Sequence, residues 1–356
     1  MRRTTGSSRH ILVIRSAMRP AMRTLPVAAI VLLALASISA RAQKPLPKVQ
    51  MPQNGTLATI IREADMYAGA DDNSDQVAHV LPGREIVIVE RNGKWLRVFA
   101  NTDAPDTRGS DQPVLEQQDQ PQPISGWIID KGIVDTNTAH GDLILFGAAD
   151  AAEQAAAVPD PPPHLAEEAR LLYRRVYVMF PQSSWTPEAM YRAADIRWQI
   201  QKVDASTLPS AHEKANYLRE QMDEDEMRNV MKYFPRTRWA DLAAFDLIDN
   251  KLCGDWQGSE QCPEKETSFY LKYVDEHPDS PKAAEALYDA AWREASAGDM
   301  WQADGNAKRA LEDRNFAHGV LARMEQKYPD SPFTARAADM LYKVDQGIAI
   351  YGSSRE

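Results

Sequence analysis

Cysteine is nearly absent from this chain: 356 residues hold two, Cys253 and Cys262. Two thiols cannot by themselves enclose a metal ion, and the surrounding sequence supplies no further ligands. A dithiol redox centre more typically has the C-x-x-C spacing, which the nine-residue separation here lacks. Catalytic signatures are missing as well. His212-Glu213 has no second histidine to complete H-E-x-x-H, and there is no G-x-S-x-G, no phosphate-cradling G-x-x-x-x-G-K and no G-x-G-x-x-G. A wall-cleaving Cys/His enzyme needs an activated thiolate, and both cysteines are better explained as a disulfide. The sequence therefore nominates no catalytic residue, no cofactor and no metal site, and reads as a non-enzyme.

Excess positive charge is also lacking, with a formal net charge of −10. Residues 1–42 carry seven arginines and no acid, so a chain without them has a charge of −17. Such a surface is repelled by nucleic acid and by anionic lipid headgroups. The acidic run Asp223-Glu224-Asp225-Glu226 lacks the alternating oxygen ligands and glycine turn of a calcium loop. It reads as a solvated helix start favoured by the helix dipole.

Long apolar runs are the last absence. Val27 to Ala36 is too short to span a bilayer comfortably. It follows a basic leader and precedes Ala40-Arg41-Ala42, the pattern of a secretory signal peptide cleaved after Ala42. Met22 would start a signal of ordinary length. The expectation is a periplasmic or secreted chain with no transmembrane segment once residues 1–42 are removed. In an oxidising compartment a nearby cysteine pair most often closes a disulfide, contributing about 2–3 kcal/mol by restricting the unfolded chain.

After a linker at 43–54, residues 55–138 carry short β-type runs: Ala58–Ile61, Val77–Leu81, Ile86–Glu90, Trp95–Phe99 and Trp127–Ile129. Turn signals separate them, and Asn92-Gly93 between apolar runs is a strong hairpin signal. Five short strands at this spacing predict a small all-β barrel. The order Ile61-Arg62-Glu63-Ala64-Asp65-Met66-Tyr67, Val80-Leu81-Pro82-Gly83, Asn92-Gly93-Lys94-Trp95-Leu96-Arg97-Val98 and Gly126-Trp127-Ile128 resembles a bacterial SH3 (SH3b) domain. The resemblance implies an SH3-like barrel that binds wall peptides or partner proteins. Where that family has a short turn, Asn101 to Ile124 form a long insertion rich in Asp, Gln and Pro, expected to be disordered. Trp95 and Trp127 read first as barrel core, with a binding surface as their alternative role.

The second half repeats one phrase four times: an aromatic or imidazole, a proline, any residue, then a hydroxyl. The instances are Phe180-Pro181-Gln182-Ser183, Phe234-Pro235-Arg236-Thr237, His277-Pro278-Asp279-Ser280 and Tyr328-Pro329-Asp330-Ser331. Proline disfavours helix at the residue before it, and the hydroxyl can cap the next helix. In Ser280-Pro281 and Ser331-Pro332 a proline suits the first helical position, and Thr186-Pro187 offers the same cap later in the first joint. The flanks carry apolar stripes at helical spacing: Leu165, Ala169, Leu172, Val176 and Met179; Met227, Val230, Met231 and Phe234; Tyr270, Tyr273, Val274 and His277; Ala284, Leu287, Tyr288, Ala291 and Trp292. An all-α helical repeat domain over 141–346 follows, with a tail at 347–356. An Ala-rich helical stretch, 142–158, opens it. Val158 to His164 reads as the loop inside a first helix pair, a stiff interdomain linker being the alternative.

The joint with Tyr328-Pro329-Asp330-Ser331-Pro332 and the alanines 335, 337 and 338 resembles the tetratricopeptide-type repeats of periplasmic envelope-assembly proteins, such as the outer-membrane assembly lipoprotein BamD. Joint spacings of 54, 43 and 51 residues exceed the family's usual repeat of about 34, and no lipidated cysteine is present. Together these readings predict a multidomain, exported, non-enzymatic cell-envelope scaffold whose partners are envelope proteins or peptidoglycan. A peptidoglycan-binding module that recruits a cell-wall hydrolase is the alternative.

Overall fold

Alternation of apolar and polar side chains lays residues 56–100 and 124–135 into seven antiparallel strands. In the computed structural model, which describes residues 44–46, 55–100 and 123–351, these are β1 (Thr56–Ile60), β2 (Ala64–Tyr67), β3 (Gln76–Val80), β4 (Glu85–Asn92), β5 (Trp95–Ala100), β6 (Ile124–Ile129) and β7 (Ile133–Asp135). The expected signal peptide, nearly all of the linker, most of the insertion and the last five residues lie outside the described residues. The strand order is β3-β2-β6-β5-β4-β1-β7, so β3 and β7 are edges and the sheet is open. The expected closed barrel is thereby corrected. β2 and β7, absent from the predicted set of five runs, are only four and three residues long.

One face of the sheet buries Ala58, Ile60, Met66, Ile86, Leu96, Val98 and Ile128 in a single cluster. Gly93 opens the two-residue turn between β4 and β5, where Asn92 faces Trp95. Gly126 is required by close approach: a Cβ there would lie 2.4 Å from Met66 Cγ and 2.8 Å from the Tyr67 carbonyl oxygen.

Helices follow: α1 (Gly141–Ala156), α2 (Leu165–Met179), α3 (Thr186–Ser206), α4 (Asp225–Tyr233), α5 (Arg238–Asp246), α6 (Gln261–Glu276), α7 (Ala283–Ala303), α8 (Ala307–Lys327) and α9 (Pro332–Asp345). The four Pro joints fall between α2 and α3, α4 and α5, α6 and α7, and α8 and α9. Phe180, Phe234, His277 and Tyr328 each close a helix at φ between −124° and −135° and ψ between 50° and 59°. Each still donates its N–H to the carbonyl four residues back, and each carbonyl then accepts from the N–H of the joint's hydroxyl residue. One local geometry is therefore repeated four times.

The hydroxyl does not always cap. Thr237 and Ser331 accept from Ala240 N and Phe333 N as helix caps. Ser183 and Ser280 sit upstream of the true cap positions, Trp185 and Lys282, and accept from Trp185 N and Lys282 N instead. Pro332 begins α9, whereas Pro281 precedes α7. The Thr186 hydroxyl is diverted to the Phe180 carbonyl, so it caps nothing.

The predicted stripes are largely inside. α7 is buried over more than a stripe: Ala283, Ala286, Leu287, Ala290, Ala291, Ala295 and Ala297 have no exposed surface. It packs against α6, α8 and α9, and alanine is what lets three helices approach one. Ala284, expected in that core, is only half-buried.

Sheet and helices each have clusters of their own and also share one. Leu57 of β1 and Val134 of β7 join Leu145, Phe146, Leu172, Tyr173 and Val176 in a single cluster. Beside it, Arg175 of α2 is 2% exposed; its Nε donates to the Gly83 carbonyl at 3.0 Å and its Nη1 to Glu85 Oε2 at 2.9 Å. Gly83 has φ +77°, and a Cβ there would lie 2.7 Å from Leu171 Cβ and 2.9 Å from the Leu172 backbone nitrogen. Only glycine satisfies both the turn and the helix pressed against it.

Candidate functional site

Three successive helix pairs bring aromatic rings and half-buried carboxyls into one continuous network. Tyr191 of α3 stacks on Trp239 of α5 at 5.6 Å between centroids, and its hydroxyl donates to Asp246 Oδ2 at 3.1 Å. Phe245, one residue earlier on α5, meets Tyr273 of α6 edge-on at 5.3 Å. The Lys282 ammonium lies 5.2 Å from the Phe245 centroid and 2.6 Å from Glu285 Oε2. Tyr273 Oη donates to the Asp241 carbonyl, and His277 Nδ1 lies 2.8 Å from Asp241 Oδ1.

Electrostatics mark the same face. Burial, then repulsion from Asp195, pushes the Asp246 carboxyl up to about 7. Burial raises Asp195, and it pushes Asp289 up to about 6 despite the Arg293 guanidinium. Lys282 acts on all three, so α3, α5 and α7 present their acids to one region. The arrangement brings aromatic surface and poorly solvated negative charge together in one region. Among the described residues no three His, Cys, Asp or Glu side chains are grouped to hold a metal ion.

These acids escaped sequence reasoning because each occupies an ordinary polar helix position. Their half-burial arises between helices distant in the chain, and no local pattern encodes it. The acidic run at 223–226 does start a helix, α4 at Asp225, and Asp225 is exposed, but two of its acids are paired rather than solvated. Asp223 Oδ2 accepts from Arg197 at 2.8 Å, and Glu226 Oε1 from Arg197 at 3.2 Å and Arg170 at 3.4 Å.

The two tryptophans nominated from sequence lie on the same side of the sheet, opposite its main core cluster. Arg97 faces Trp127, and Trp95 faces Ile129. Trp95 is buried, with Tyr67 edge-on at 5.6 Å and the Lys94 ammonium 5.2 Å from its ring centroid. Trp127 is half-buried, and Phe99 on that side is 43% exposed. Trp95 is thus a structural ring, and Trp127 remains accessible. Cys253 and Cys262 are disulfide-bonded.

No family model matches the chain, and no curated protein matches it. Among solved structures it is similar to a DHF79 filament, 13% identical with 57% of this chain and 96% of that chain covered, at a TM-score of 0.21. That likeness carries no argument. No helix among the described residues is long and apolar enough to cross a membrane.

The raised carboxyls set an unusual pH dependence. A carboxyl raised by folding costs stability once ionised. That cost enters as pH rises past the unfolded value, about 4, and is complete above the folded one. For Asp246 and Asp289 the window is therefore about pH 4 to 7. His79, raised by Asp65 and then Glu63, acts in the same direction, since its stabilisation is lost as pH rises through its folded value. The melting temperature is expected to rise from pH 8 to pH 5, by about 2–4 °C per kcal/mol recovered. Asp246→Asn should flatten the slope. A melting temperature that falls over this interval contradicts the assignment.

Proposed function

We propose that this chain is an exported, non-enzymatic cell-envelope protein that holds partner proteins on its helical domain. The carrying observation is the network from Tyr191 and Trp239 through Asp246 to Lys282 and Asp289, which crosses three helix pairs without assembling a catalytic centre. Repetition of one joint geometry supports reading the helices as tetratricopeptide-type repeats with long helices, an architecture that presents binding surface. The open antiparallel sheet, with its Gly83, Gly93-Lys94-Trp95 and Gly126-Trp127 landmarks, supports an SH3b-like module. The basic leader and the disulfide support a periplasmic or secreted location.

A photo-crosslinking side chain at Arg238 in the native host tests this reading. One recurrent protein adduct is expected, weakened when Asp289 is changed to Lys, and the purified chain is expected to begin at Gln43. Retention of residues 1–42 rejects export. The accessible Trp127 and Phe99 favour the alternative, in which the sheet binds peptidoglycan and the helices recruit a hydrolase. Sedimentation with purified sacculi, abolished by Trp127→Ala and without any protein adduct, would establish that alternative. Cleavage of sacculi by the pure chain would reject both.

A further inference from the structure

The segment after α9 turns back onto the helical domain. Gly347 takes φ +71°, and the Gly347 and Ile348 N–H groups donate to the Val344 and Lys343 carbonyls, which closes the helix and reverses the chain. Residues 346–349 are exposed and belong to no helix or strand. Ile350 then goes inside at 9% exposure, in the cluster that holds Ile248 and Val344. Its N–H donates to Asp299 Oδ2 of α7 at 2.9 Å. Tyr351 stacks on Trp256, with ring centroids 5.6 Å apart and planes at 27°. An exposed, irregular approach thus leads to an anchor of two side chains and one hydrogen bond.

The groove that receives this anchor is held together without it. Trp256 lies inside the loop closed by Cys253 and Cys262, its Nε1 donates to Glu266 Oε1 at 3.1 Å, and Trp292 of α7 backs it at 4.9 Å. Asp299 is fixed by Arg314 of α8, whose Nη2 donates to Oδ1 at 3.2 Å, while Oδ2 accepts from the tail. Met300 joins Trp256 and Cys262 in one apolar cluster. None of these ties runs through residues 347–351. Departure of the tail therefore leaves an aromatic ring, its apolar neighbours and a carboxylate oxygen in place, a surface that needs little ordering to bind again.

We propose that residues 347–351 are an autoinhibitory strap, seated in a groove that binds an extended segment of a partner protein in which an aliphatic residue is followed directly by an aromatic one. The chemistry is what the tail itself supplies: an aliphatic side chain for the buried cluster, a ring for Trp256 and a main-chain N–H for Asp299. The strap opens without the helices unfolding, because its anchor is short and its approach irregular. While it is seated, a competitor meets only the fraction of molecules whose groove is open, and its apparent affinity falls by that fraction. Trp256, Trp292, Asp299 and Met300 take no part in the α3–α5–α7 network, so the groove stands apart from the reading given to it.

Two measurements on the full chain test this. In hydrogen exchange of the unmodified chain, the Ile350 amide is expected to exchange by local opening, about tenfold or more faster than the buried amides of α7 and insensitive to low denaturant. Exchange of Ile350 only on global unfolding would make the tail a fixed cap and overturn the strap; this readout does not depend on any variant's folding. The second measurement titrates the acetylated, amidated peptide Gly-Ile-Ala-Ile-Tyr, the sequence of residues 347–351, while following the Trp256 and Trp292 indole ¹H–¹⁵N signals. The strap-weakened variant Ile350→Ala with Tyr351→Ala should bind it about tenfold or more tighter than the unmodified chain, and adding Asp299→Ala should remove most of that gain. A control peptide ending in Ala-Ala should not bind. Equal affinity of variant and unmodified chain, indifference to Asp299→Ala, equal binding of the control, or no binding overturns the proposal. Self-association of the chain that the peptide competes away would give the groove to a second copy and overturn the partner assignment.

Discussion

Replacing Arg175 by Met is expected to lower the stability of the chain by about 3–5 kcal/mol, the loss typical of breaking a buried ion pair from one side. The guanidinium is buried between sheet and helices, bonded to the Gly83 carbonyl and to Glu85. Burial alone lowers its pKa and Glu85 pulls it back up, so the charge is tolerated only because its partners are in place. Met keeps most of the volume and removes the donors. Gly83 and Glu85 then lose their guanidinium at a tightly packed junction, where a Cβ on Gly83 would lie 2.7 Å from Leu171 Cβ. Glu85→Gln, which keeps the acceptor and removes the charge, should cost less than Arg175→Met. Chemical denaturation followed by tryptophan fluorescence and far-UV dichroism measures both. A loss under about 1 kcal/mol would place Arg175 among ordinary surface ion pairs. The same junction predicts the outcome of deleting residues 55–138. Leu57 and Val134 vanish from the α1–α2 core, so the helices are not expected to keep their full stability alone.

What the sequence disclosed follows from how local each cause is. Proline acts on the residue beside it, so all four helix ends were legible, and the structure places them at Phe180, Phe234, His277 and Tyr328. The caps were half legible because a hydroxyl has choices. Ser280 also lies 2.5 Å from Tyr273 Oη, and Ser183 donates to Asp142, partners contributed by neighbouring helices. Alternation exposed the longer strands, whereas β2 and β7 are too short to alternate visibly. The disulfide was readable from spacing and expected compartment. Arg175 and Asp246 were not readable, since each sits on a helix where arginine or aspartate ordinarily faces water. Their burial comes from elements distant in the chain: Gly83 lies 92 residues before Arg175. Trp95 was legible as a buried ring but not as one on the side of the sheet opposite its main core.

Glu266→Ala is expected to destabilise the helical domain by about 3–5 kcal/mol, more than removing the disulfide beside it. Glu266 is 1% exposed and occupies the base of the cysteine loop. Its Oε1 accepts from Cys253 N at 2.7 Å and Trp256 Nε1 at 3.1 Å, and its Oε2 from Arg293 Nε at 2.8 Å. Arg293 is itself covered by Tyr270, Trp256 and Trp292, with ring centroids 4.3, 5.8 and 5.5 Å from its Cζ. Truncation leaves that buried guanidinium with only Asp289, whose carbonyl is 3.2 Å and carboxylate 3.8 Å from Nη1, and frees the backbone and indole donors of the loop. The disulfide closes a loop with a sequence separation of 9, and the unfolded-chain entropy it removes is worth about 2–3 kcal/mol. The two devices hold the same segment, because Cys253 supplies both a sulfur to the bond and an N–H to Glu266. Their losses should therefore be less than additive in a double-mutant cycle of Glu266→Ala with Cys253→Ser and Cys262→Ser together. Once the loop is free at one tie, the other restrains less native structure. Strict additivity would mean that the loop is held independently at each end. A larger loss from the serine pair than from Glu266→Ala would make the covalent bond, rather than the buried carboxylate, the principal fastening of α6 to the segment before it.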